Sequence, residues 1–83
     1  MEDTKRKEML ERKRAFVECL RILLEQVPEA EVKEMAYRVD LDGGEEWVDI
    51  KFKGGLIKKA RVGGDNHLAM MYDIMRAIWR HAV

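Results

Sequence analysis

Few residues of this chain carry chemistry of their own, and they are scattered along it. His67 and His81 are the only histidines, Cys19 is the only cysteine, Thr4 is the only threonine, and serine is absent. Nucleophilic catalysis needs a hydroxyl or thiol with a base in reach, and no Gly-x-Ser-x-Gly, P-loop or Gly-x-Gly-x-x-Gly run is present. Cys19 falls inside a helical run and not at a helix start, where a thiolate is stabilised, so it reads as a small apolar residue. The two histidines stand at opposite ends of one predicted helix, too far apart to share an ion, and a single cysteine excludes the cysteine-rich zinc sets. Asp40-Leu41-Asp42-Gly43-Gly44-Glu45-Glu46 lacks the ligand spacing of a calcium loop. The expectation is a non-enzymatic protein with no metal and no cofactor.

Two groupings keep a binding chemistry. Trp47, Lys51, Lys53, Lys59 and Arg61 gather on the open face of a predicted sheet, with Lys58 nearby. Cations hold phosphates and an indole stacks on a base, so this face suits nucleic acid or an acidic partner. Arg38, Asp40 and Asp49 share the face, and Asp49 neutralises part of it. The second grouping is Arg61, Gly63, Gly64, Asn66 and His67. A glycine pair ahead of a helix presents backbone N–H groups to an anion, and Arg61 and His67 supply charge. Asp65 opposes this, because its carboxylate caps the same donors.

The elements that position these groups are punctuated by three glycine pairs, Gly43-Gly44, Gly54-Gly55 and Gly63-Gly64, which hold all six glycines. Thr4 to Gln26 contains no glycine or proline and Pro28 follows, so the pattern predicts a helix over 4–26. Met9, Phe16, Leu20, Leu23 and Val27 fall on one line of it. Leu10, Val17 and Leu24 flank that line on one side, and Cys19 and Ile22 on the other. Met35, Tyr37, Val39 and Leu41 alternate with Glu34, Ala36, Arg38 and Asp40, the period of a strand with one covered face. A two-residue Gly43-Gly44 turn sets Val39 opposite Val48, Tyr37 opposite Ile50 and Met35 opposite Phe52. On the open face it sets Arg38 opposite Asp49 and Glu34 opposite Lys53. A three-residue turn, Lys53-Gly54-Gly55, keeps Lys59 and Arg61 out of the core. It puts Leu56, Ala60 and Val62 on the covered side, Lys59 opposite Asp49, and Arg61 opposite Trp47. Asp65 and Asn66 offer N-caps for a second helix to Ala82. Its central stripe is Leu68, Met71, Ile74, Met75, Ile78 and Ala82, widened by Met70, Tyr72, Ala77 and Trp79.

Eighty-three residues make one domain, 1–83, with 1–4 expected to fray. The predicted class is α+β: helix, three-stranded antiparallel meander, helix, with both helices on one sheet face. A lone cysteine suits a reducing cytoplasm. The 39% of charged residues balance to zero, and no apolar run is long enough for a bilayer, so no membrane role is expected. Both helices are apolar over roughly 240° of the wheel, where a helix on a single core needs a stripe of little more than ~100°. That surplus predicts a homodimer or higher oligomer, with Cys19, Ile22, Met70, Ala77 and Trp79 as contact candidates and Met71 and Met75 as core filler. The leading functional expectation is a small binding module of inhibitor or adaptor type, in the style of a phage or mobile-element accessory protein, acting on a protein partner. Nucleic-acid binding through the sheet face is the first alternative. Sequestration of a small anionic ligand, such as a nucleotide, near Gly63-Gly64 is the second.

Overall fold

The computed structural model describes residues 2–40, 42, 44–62 and 66–82. Its elements are α1 (Glu2–Leu24), a 3-10 turn (Pro28–Ala30), β1 (Val32–Val39), β2 (Glu46–Phe52), β3 (Ile57–Arg61) and α2 (His67–Ala82). The strands form one antiparallel sheet in the order β1-β2-β3. The α+β class and the element order are those the sequence predicts.

Helix α1 begins earlier than expected, at Glu2, since nothing from there to Leu24 breaks a helix. It closes by tightening. Gln26 N–H donates to Leu23 O and Val27 N–H to Leu24 O, both at 3.0 Å. Val27 precedes Pro28 and leaves the helical region with φ −123° and ψ 80°, as the proline ring demands. At ~1.5 Å per residue the helix is a rod of roughly 35 Å, and it accounts for the 43 Å long axis of the molecule. Helix α2 starts on a side-chain cap, Asn66 Oδ1 accepting from Ala69 N–H at 2.8 Å. Of the two expected caps, Asp65 lies outside the described residues.

The β1–β2 register corrects the expected one by two residues. Tyr37 faces Val48, Met35 faces Ile50, Glu34 faces Lys51 and Arg38 faces Trp47. Asp40 N–H donates to Glu45 O and Gly44 N–H to Asp40 O, each at 2.8 Å. The connection therefore spans residues 41–44, of which Leu41 and Gly43 lie outside the described set, and it is not a two-residue turn. Gly44 closes it at φ 72°, a left-handed conformation that costs a side chain roughly 1–2 kcal/mol. A slip of two preserves every residue's face, so alternation could not detect it; the length of the turn decides. A bulge between Val32 and Glu34 turns Val32 inward and extends the pairing to Phe52.

The β2–β3 turn is the expected one. Phe52 N–H donates to Leu56 O at 2.8 Å and Gly55 N–H to Phe52 O at 2.9 Å, which encloses Lys53-Gly54-Gly55 with Gly55 at φ 94°. Lys59 faces Asp49 and Arg61 faces Trp47, as the pattern predicts. Leu56 departs from expectation: it sits exposed at the mouth of the turn, too near the tip to reach the core.

One apolar cluster joins all the elements. Val17, Leu20 and Leu24 of α1 and Met70, Ile74 and Ile78 of α2 meet Met35, Tyr37, Val48, Ile50, Phe52, Ala60 and Val62. Helix α1 makes contact with β1, and α2 with β3 and the 3-10 turn. In both helices the core takes one edge of the apolar arc and not its centre. Met70 is thus fully buried, while Met71 and Met75 remain 37% and 40% exposed. This reverses the expected roles of the three methionines. Met70, Ile74 and Ile78 recur every four residues on the inward line, and Met71 and Met75 stand one position further round.

Candidate functional site

The open sheet face is real but largely self-satisfied. Lys59 Nζ stands 4.2 Å from the centroid of the Trp47 ring, a cation–π contact that covers one face of the indole. Arg38 Nε lies 3.5 Å from Asp49 Oδ2 and Arg61 Nη2 lies 3.9 Å from Glu45 Oε1. Lys51 is half-buried opposite Ile57. Lys53 leaves the group, because it belongs to the turn after β2. Of the five predicted residues, Trp47, Lys51, Lys59 and Arg61 share the face, interleaved with Asp49 and Glu34.

The second predicted grouping separates. Gly63 and Gly64 lie outside the described residues. Asn66 uses its side-chain oxygen as the α2 cap. His67 stacks on Phe16 with ring centroids 4.8 Å apart. Both line a cleft of about 430 Å³ with Lys5, Glu8, Met9, Arg12 and Lys13 of α1, and Arg61 is not part of that wall. At the other end of α2, His81 stacks on Phe52 at 3.6 Å and places Nε2 3.6 Å from Glu31 Oε2. Among the described residues no three histidine, cysteine, aspartate or glutamate side chains assemble as a metal-ligand set.

A cluster that sequence reasoning missed lies under α1. Lys13 is only 4% exposed, and its Nζ donates to Glu46 Oε1 at 2.5 Å. The Tyr37 hydroxyl donates to the same carboxylate oxygen. Burial alone would push the Glu46 carboxyl up, but the hydrogen bonds from Lys13 and Tyr37 outweigh it and hold it below the usual carboxylate range. Tyr37 is raised, first by burial and then by Glu46. Lys13 and Tyr37 both bond to Glu46, and no described buried side-chain nitrogen or oxygen lacks a partner. The cluster is an internal strut, and its Lys13 also borders the cleft of about 430 Å³. Its signal was visible: Lys13 interrupts the apolar arc of α1, where a cation must be paired or expelled.

An apolar surface lies between the helices. Two clefts of about 550 and 490 Å³ share Leu24, Val27, Tyr72 and Met75 and so make one groove. One bank is the end of α1 and the 3-10 turn, with Leu20, Leu23, Leu24, Val27, Glu29 and Ala30. The other is α2, with Leu68, Met71, Tyr72, Met75, Arg76 and Trp79. Leu23 and Tyr72 are each 64% exposed and Trp79 is 68% exposed. Of the predicted contact residues, Trp79 lines this groove. Cys19 and Ile22 are exposed on α1, Ala77 is half-buried, and Met70 belongs to the core. Periodicity assigns Leu23 and Leu68 to the centre of an arc expected to face inward, and Tyr72 to the margin that widens it, so none of the three is among the predicted contact residues.

No family model, no curated protein and no solved structure matches this chain.

Proposed function

We propose that this chain is a small non-enzymatic interaction module that assembles with copies of itself through the groove between α1 and α2, with both helices covering one face of the sheet. One observation carries the reading: large apolar side chains from two helices remain exposed around a single groove. Single exposed apolar residues are ordinary, whereas contiguous patches of several hundred Å² mark interaction surfaces. At ~150–250 Å² for an aromatic, the partly exposed apolar side chains here leave on the order of 600 Å². With a polar rim added, that approaches the ~800 Å² each partner contributes to a standard complex.

Sedimentation velocity at micromolar concentration tests this. The native chain is expected well above its 9.8 kDa monomer mass, and Leu23→Glu with Tyr72→Glu is expected to return it to the monomer with an unchanged circular dichroism spectrum. Both positions are exposed, so the fold does not depend on them. A monomeric native chain overturns the reading. So does an assembly that survives the groove substitutions but is lost on removing the charges of Lys51, Lys59 and Arg61.

A further inference from the structure

The two banks of the groove carry opposite charge. The side of α1 and the 3-10 turn contributes Glu29 to the lining of the groove, and α2 contributes Arg76. Neither has an ion-pair partner among the described residues.

We infer that the groove closes on a second copy about a two-fold axis, the acidic bank of each copy lying against the basic bank of the other, with Glu29 facing Arg76 twice. The inference rests on the self-assembly just proposed and adds its geometry. In a two-fold contact, whatever residue i does to residue j is repeated by j on i, so one favourable cross-bank pair is counted twice. The opposite choice, α2 against α2, sets Arg76 near its own image in a partly dry contact, where like charges are costly. A foreign helix would need an acidic and a basic edge in the right order, whereas a second copy of this chain already has both. The formal net charge of zero means that no long-range repulsion opposes association. Apolar burial supplies the affinity, and the charged rims choose which bank meets which.

The test is a charge swap between chains, read as self-association by sedimentation velocity. Glu29→Lys alone and Arg76→Glu alone are each expected to weaken association roughly tenfold, since each creates two like-charge contacts. An equimolar mixture of the two variants is expected to regain native affinity, because the mixed dimer has both contacts complementary. Single variants that associate as the native chain does overturn the two-fold, cross-bank arrangement. So does a mixture that stays weak. If the native chain is itself monomeric, the assembly reading has failed. If Leu23→Glu with Tyr72→Glu dissociates the native chain while the charge variants do nothing, only the geometry has failed.

Discussion

The open face of the sheet and the groove between the helices are both built from aromatic, charged and aliphatic side chains, yet the chain treats them differently. On the sheet, Trp47 is half-covered by Lys59, Arg38 has Asp49, and Arg61 has Glu45 within 3.9 Å. In the groove, Trp79 and Tyr72 stand open, and Glu29 and Arg76 have no partner among the described residues. A surface whose groups are answered from within the chain gains little from a partner, and one whose groups are not gains a great deal. Basic composition drew attention to the sheet. Unanswered surface directs it to the groove.

The strongest case of internal satisfaction sets the scale, and it sits one residue before Trp47 on the opposite face of β2. Glu46→Gln strands the Lys13 ammonium in the core and is expected to cost on the order of 3 kcal/mol of unfolding free energy. Adding Lys13→Met should recover most of that loss, since the uncompensated charge is then gone and the amide still accepts from Tyr37. Because folding lowers the Glu46 pKa, its contribution is complete above the unfolded value near 4.5 and is lost as the pH falls through the lower folded one. Denaturant titrations from pH 7 downward should show this acid loss in the native chain, and a smaller one in Glu46→Gln. An equal acid loss in both would mean that the strut is not where the sheet's covered face is held.

Trp79→Ala and Trp47→Ala compare the two surfaces directly. Truncating an anchor at the centre of an interface costs about 2 kcal/mol or more, so Trp79→Ala should weaken self-association by roughly 30-fold. Its effect on the unfolding of the monomer should stay within about 0.5 kcal/mol, as for other exposed substitutions. Trp47→Ala should do the reverse: it removes the seat of Lys59, lowers monomer stability by about 1 kcal/mol, and leaves association alone. Equilibrium sedimentation and urea unfolding of the same two variants measure both quantities. An association loss in Trp47→Ala matching that in Trp79→Ala would erase the distinction.

How far this contrast was legible in the sequence depended on the period involved. Strand faces were read correctly because side chains alternate strictly, so Trp47, Lys59 and Arg61 could be placed together without coordinates. The β1–β2 partners were not, since a shift of two is invisible to a period of two and the turn around Gly44 carries the missing information. On the helices the width of the apolar arc was legible, but its orientation was not. A 240° arc (roughly, by the helical step) leaves the core free to choose an edge, and it chose the edge marked by Val17 and Met70. Met71, Met75, Leu23 and Tyr72 were thereby left outside. Two cations interrupt the α1 arc, Arg12 and Lys13, and only Lys13 stands on the buried edge while Arg12 is exposed.

Gly55→Ala tests whether the sheet's self-satisfaction depends on its turn. An added Cβ meets nothing within 4 Å at this position, so the cost is the φ of 94° alone, about 1–2 kcal/mol for a left-handed residue. Thermal unfolding is expected to fall by that amount with the assembly unchanged, because the groove lies on other elements. A larger loss accompanied by release of Lys59 from Trp47, seen as a change in indole fluorescence, would show that the register of β3 itself has moved.

The smallest expected effect concerns Asp49. Its pair with Arg38 is 3.5 Å long and well exposed on the arginine side, and exposed pairs contribute about 0.2–1 kcal/mol. Asp49→Asn should therefore move the unfolding midpoint barely, but it removes the carboxylate that pairs with Arg38 and lies opposite Lys59 on the open face. If that face were a phosphate-binding surface, the substitution would strengthen retention on single-stranded nucleic acid, and retention would fall linearly with the logarithm of salt concentration. The expected result is no retention at physiological salt for either the native chain or the variant. Retention that Asp49→Asn enhances would reverse the order of the two surfaces, making the sheet the working face and the groove the means of presenting it.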